Sequence, residues 1–153
     1  MRNLNKEERF MGFRMKITGG TEDIVFDERS IAKVDFNSAS SPDSNARATD
    51  FGMTVKVWGK MLYKRGAGEG DATLGLAQWS QVPSERPDCY RSAEITVVSA
   101  GQVVRQITLP DAFVMEYSEE VDDESGVGTF YIHMKQKKDE NAAAKIEGGF
   151  GGE

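Results

Sequence analysis

The sequence predicts a mainly β domain: an antiparallel β-barrel of two packed sheets with one inserted α-helix. Three observations predict it. Six or seven short segments alternate apolar and polar residues at the two-residue period of a strand. Short turn-forming stretches join most of them, which favours hairpins and antiparallel pairing. Apolar residues at helical spacing occur once, at Ala72, Leu76 and Trp79, so no helix–strand alternation supports a doubly wound sheet.

Along the chain, the polar start (1–13) reads as an arm. Arg14 to Ile17 reads as a strand stopped by Gly19-Gly20, followed by the short apolar piece Ile24 to Phe26 and a strand over Ser30 to Asn37. Ser38 to Asp50, SASSPDSNARATD, is rich in small polar residues and reads as a long loop. Loops of this length in a compact domain are commonly functional or disordered. Phe51 to Tyr63 has the clearest alternation: Met53, Val55 and Val57 point one way, Thr54, Lys56, Trp58 and Lys60 the other. Glycines at 66, 68 and 70 break the chain. Asp71 can cap a helix over Ala72 to Gln81, which Pro83 ends. Tyr90 to Val98 and Val103 to Leu109 read as a hairpin about Ala100-Gly101-Gln102. Pro110-Asp111 reads as a break before an extended Ala112 to Ser118. Gly128 to Lys137 is the last strand, with Phe130, Ile132 and Met134 on one face and Tyr131 and His133 on the other. Residues 138–153 read as a flexible Gly-rich tail after the 14–137 domain.

Composition excludes several function classes. There is one cysteine, Cys89, and one histidine, His133, among 153 residues. A disulfide within the chain is impossible, and a Cys/His zinc site lacks ligands. The net charge of −6 argues against nucleic acid or anionic lipid as the main partner. Apolar runs are too short for a membrane-spanning helix, and the start has no secretory apolar region. The chain is expected to be made as a soluble cytoplasmic protein. No cofactor and no metal are expected.

Chemistry-bearing residues are sparse. GAGEGD at 66–71 precedes a helix, yet lacks the Lys-Ser/Thr of a phosphate loop, and Glu69 and Asp71 would repel phosphate. Glu119, Glu120, Asp122, Asp123 and Glu124 form an acidic loop; they lack calcium-loop spacing and read as a solvated hairpin. His133 has no nearby partner for base catalysis, and Cys89 reads as a partly buried, inert thiol. Trp58, Tyr131 and His133 lie opposite the apolar stripes. They are either packed in a closed barrel against the helix or form a surface covered by self-association.

The order of these elements resembles the haemolysin-coregulated protein (Hcp) family of type VI secretion and the related tube proteins of contractile phage tails. The resemblance spans roughly 14–137. It rests on strand, small-residue loop with Arg47 and strand over Ile31 to Phe51; on the strand Met53 to Tyr63; and on the single helix, DATLGLAQWSQ, at Asp71 to Gln81. It rests further on AEITVVSAGQVVRQITLPDAFVMEY at Ala93 to Tyr117, and on the last strand, Gly128 to Gln136. This chain departs from the family pattern in its long N-terminal arm, its acidic 119–127 loop and its Gly-rich tail.

The resemblance implies an Hcp-like fold and a structural subunit that performs no catalysis. It implies homohexameric rings stacked into a hollow tube inside a contractile sheath, exported with the apparatus and able to carry effectors, with sheath, spike or baseplate proteins as partners. By the same resemblance, the loop bearing Asn37, Ser38, Ser41, Asn45, Arg47 and Asp50 reaches to the next ring. Two rival classes remain: a monomeric β-barrel module for a small ligand or glycan, and an enzyme centred on His133.

Overall fold

A computed structural model describes residues 11–39, 52–61, 72–137 and 144–148. The strands are β1 (Met11–Thr18), β2 (Ile24–Phe26), β3 (Ile31–Ala39), β4 (Gly52–Met61), β5 (Arg91–Ser99), β6 (Gln102–Val121), β7 (Gly128–Gln136) and β8 (Lys145–Gly148). One helix, α1, spans Ala72–Ser80, and a short 3-10 turn, Pro87–Cys89, leads into β5. The strands form one sheet in the order β2-β1-β5-β6-β7-β4-β3, with β8 added on β6. Every pairing is antiparallel.

The mainly β architecture, with a single α-helix among the described residues, is the expected one. Among the described residues the sheet is nevertheless not closed into a barrel, because its two margins, β2 and β3, do not pair. β2 has three residues and is joined to β3 by a turn in which the Ser30 N–H donates to the Asp27 carbonyl at 3.3 Å. The margins therefore meet at a turn and not along a ladder.

Three of the four register shifts in the sheet fall in ladders of β6. This strand runs unbroken for 20 residues, although Pro110-Asp111 read as a break. Its first half pairs with β5 and its second half with β7, so one strand belongs to both sides of the molecule. The registers place an extra β6 residue at Val104, at Pro110–Asp111 and at Met115. Such bulges bend a strand and increase its twist. Pro110 survives in the strand because the ladder is interrupted at a bulge, where the N–H that proline lacks is not needed as a donor. Gln136, fully buried, supports this point: its Oε1 accepts the Asp111 N–H at 3.3 Å, while the Lys137 N–H donates to the Asp111 carbonyl at 2.8 Å.

The core follows from strand alternation. Met53, Val55 and Val57 of β4 and Phe130, Ile132 and Met134 of β7 are buried, and Met15, Ile17, Ile95 and Leu109 complete the opposite wall. α1 buries Thr73, Leu76 and Trp79, packing against β2 and β6. The Trp79 indole N–H donates to the Cys89 carbonyl at 2.8 Å, and the Tyr117 hydroxyl lies 3.2 Å from the Thr73 carbonyl. Asp71, the expected cap, lies outside the described residues, as do the glycines at 66, 68 and 70.

Two boundaries differ from expectation. β1 begins at Met11, inside the expected arm, because its ladder with β5 extends to the Met11–Ser99 pair. Lys145–Gly148, inside the expected tail, forms β8 against Arg105 to Thr108, along the part of β6 that β7 does not reach.

The β5–β6 hairpin turns through two left-handed residues, Ala100 (φ 52°) and Gly101 (φ 76°). Gly suits this conformation; alanine is strained in it, and asparagine tolerates it better. Ala100→Asn is therefore expected to stabilise the fold by about 0.5–1 kcal/mol. A thermal melt showing an unchanged or lower midpoint would contradict this.

Candidate assembly surface

Trp58, Tyr131 and His133 occupy one face of the sheet, opposite the core. The ladders bring them together. β4 pairs with β7 so that Trp58 lies across from Tyr131, and Lys56 across from His133. The Trp58 and Tyr131 rings sit 5.1 Å apart at 37°, and the Lys33 ammonium lies 4.6 Å over the Trp58 ring. Extending the same rows to β3 and β6 gives Lys33–Trp58–Tyr131–Ser118 and Asp35–Lys56–His133–Glu116. The outer face is thus a four-stranded surface of aromatic and charged side chains.

The electrostatics of the second row are mutual. Burial, Lys56 and Lys135 hold the His133 imidazole below its ordinary range, and Glu116 opposes them. The folded state therefore favours neutral His133, and acidification through the ordinary imidazole range of about 6.5 works against the fold. Burial, then Glu116 and Asp35, pushes the Tyr131 phenol up, so it stays protonated.

Both margins of this surface lack a strand partner among the described residues. β3 pairs only with β4. Past Ala112, β6 pairs with β7 on one side and with no described strand on the other. Met115 and Val121 stand 52% and 66% exposed along that second margin. These free margins are invisible to strand periodicity, which reports faces and not neighbours.

The remaining sequence-selected residues divide as follows. Asn37 and Ser38 pair with Thr54 and Met53 within β3. Ser38 is therefore strand and not loop, because the β3–β4 ladder runs to the Ala39–Gly52 pair. Ser41, Asn45, Arg47 and Asp50 lie outside the described residues. Glu119 and Glu120 also belong to a strand, since the β6–β7 ladder continues to Val121–Gly128. The Tyr117 hydroxyl donates to Glu119 Oε1 at 2.6 Å. Only Asp122, Asp123 and Glu124 sit in the turn, where Asp122 accepts the Glu124 N–H through its side chain at 3.1 Å and the Gly126 N–H through its carbonyl at 3.1 Å.

Other features do not converge on a reaction centre. Cys89 is buried, its thiol donating to the Ser84 carbonyl at 3.7 Å, and burial followed by Asp88 pushes it up. Among the described residues no group of three or more His, Cys, Asp or Glu side chains could hold a metal ion. No described helix is long and apolar enough to cross a membrane. A cleft of about 640 Å³ lies between β2 and α1, and its lining is mostly exposed, including Glu22, Asp23, Val25, Leu74 and Gln78. That makes it a surface groove and not a chamber of the kind that encloses a small ligand.

No protein-family model matches this chain, and no curated protein matches it. Solved structures do. Hcp1 from Flavobacterium johnsoniae is 13% identical, covers 90% of this chain and 96% of its own, and superposes with a TM-score of 0.54. A chain of the PVC sheath–tube complex, an extracellular contractile injection system in its extended state, is 9% identical over 90% of this chain and 89% of its own, with a TM-score of 0.49. A chain of the six-fold symmetrised anti-feeding prophage baseplate is 15% identical over 97% of this chain and 98% of its own, with a TM-score of 0.48. The likeness to Hcp1 extends over almost the whole of both chains and establishes a shared fold.

Proposed function

We propose that this chain is a structural subunit without a reaction of its own, which packs beside copies of itself into a ring. The rings are hexameric and stack into the inner tube of a contractile injection system, whether a type VI secretion apparatus, a phage tail or a tailocin. The observation that carries this reading is the four-stranded face with two unpaired margins, set on the fold shared with Hcp1. From β3 through β4 and β7 to β6, strand direction alternates. The second half of β6 in one copy can therefore lie antiparallel to β3 of the next. Such a contact joins different patches of two copies, and repeated by rotation it closes a ring. It would also cover open strand edges, which are otherwise an aggregation hazard.

On this reading Trp58, Tyr131 and His133 belong to the surface that assembly organises. The chain between β3 and β4, with Ser41, Asn45, Arg47 and Asp50, serves contacts between successive rings. Asp122, Asp123 and Glu124 decorate a ring rim. Partners are sheath, spike or baseplate proteins and effector cargo. The subunit is made in the cytoplasm and leaves it as part of the apparatus.

Light scattering of the purified chain, followed by negative-stain imaging, tests the proposal. Annular particles with a central pore are expected. A strictly monomeric species at high concentration, without rings or tubes, would overturn it.

A further inference from the structure

The two free margins of the outer face carry opposite charge. At the β3 side, Lys33 on the edge strand and Lys56 and Lys60 on β4 outnumber a single acid, Asp35. At the other side, the second half of β6 carries Glu116, Glu119 and Glu120, and no basic residue occurs between Ala112 and Gly128. Glu116 and Glu120 share the outer face with the lysines, through the rows that run across β7. Lys33, Lys60, Glu116 and Glu120 are all exposed, and none enters a salt bridge among the described residues. The ion pairs among the described residues lie elsewhere, as Arg14–Glu28, Lys16–Asp23, Arg29–Asp27 and Arg86–Asp88.

We propose that the acidic margin of β6 in one copy docks on the basic β3–β4 margin of the next, and that this complementarity selects the neighbour and its orientation. The proposal rests on the ring reading above and names what specifies its lateral contact. A second copy is the occupant because one chain supplies both signs, on opposite margins of one surface. Like margins carry like excess charge: β6 against β6 opposes glutamates, and β3 against β3 brings together two margins on each of which Lys33, Lys56 and Lys60 outnumber Asp35. Like charges juxtaposed across an interface cost several kcal/mol, whereas opposite charges steer association. Only the unlike, head-to-tail pairing is favoured, and that is the pairing that closes by rotation.

Two full-length variants test this, Lys33→Glu/Lys60→Glu and Glu116→Lys/Glu120→Lys, each first checked for a wild-type circular dichroism spectrum. Each alone places like charges at every lateral contact, so the concentration for half-assembly at low salt should rise at least about tenfold. Mixed in equal amounts, the two alternate around the ring and restore opposite charges at each contact. Assembly by light scattering should then return to within about twofold of wild type. Wild-type rings with variants that assemble equally well would overturn the charge proposal and leave the ring reading standing. Folded variants that each fail, and whose mixture also fails, overturn it as well. A wild-type chain that forms no rings overturns the ring reading, and this proposal with it.

Discussion

Trp79→Ala is expected to destabilise the fold by about 3–5 kcal/mol, the range for truncating a large buried aromatic. Trp79 is 1% exposed and anchors α1 to the core. Its loss removes the ring from beneath the Arg91 guanidinium, 5.6 Å from the ring centre, and strips the Cys89 carbonyl of its indole donor. An unsatisfied buried carbonyl costs about 1–3 kcal/mol, which places the loss toward the upper end of the truncation range. Trp79→Phe keeps most of the packing but not the hydrogen bond, so its effect should be clearly smaller. Urea denaturation of the three chains measures this. Equal midpoints for Trp79→Ala and wild type would show that α1 is not held by this contact. Because domains of this size carry about 5–15 kcal/mol of stability, Trp79→Ala removes a large share of it.

Gly59→Ala is the second large expected loss, about 1–3 kcal/mol by overpacking. Gly59 sits in β4 opposite Phe130 of β7. A Cβ there would stand 2.5 Å from Phe130 Cε1 and 2.6 Å from the Ser30 carbonyl oxygen. Neither neighbour can yield cheaply. Phe130 is buried with its ring 5.2 Å from that of Phe26, and the Ser30 carbonyl accepts the Lys60 N–H at 2.7 Å, tying the start of β3 to β4. Adding Phe130→Leu to Gly59→Ala relieves one of the two clashes, so the double variant should recover part of the loss. A Gly59→Ala chain that melts with wild type would refute the steric account.

The strands whose faces differ sharply were legible in the sequence. β4 and β7 alternate cleanly because one face meets the core and the other does not. The same alternation puts Trp58, Tyr131 and His133 on outward faces. It could not show that Trp58 lies directly across from Tyr131, since register depends on two strands at once. Pro110 misled because a missing N–H ends a strand only where the ladder needs that donor, and a bulge does not. The short strand Lys145–Gly148 was illegible because all four residues are exposed, leaving no apolar alternation to mark it. Glu119 and Glu120 resembled loop residues by charge alone, while their backbone continues the ladder to Val121.

The continuity of β6 has a mechanical consequence. The hairpin tip after Val121 and the turn at Ala100–Gly101 are the two ends of one covalent strand, with no loop between them to absorb movement. Whatever compliance the strand has is concentrated at its three irregular points, Val104, Pro110–Asp111 and Met115, where the ladder is already interrupted. A push on the tip is therefore transmitted through the backbone to the far turn as through a jointed rod, and the joint nearest its middle is the one braced by the buried amide of Gln136.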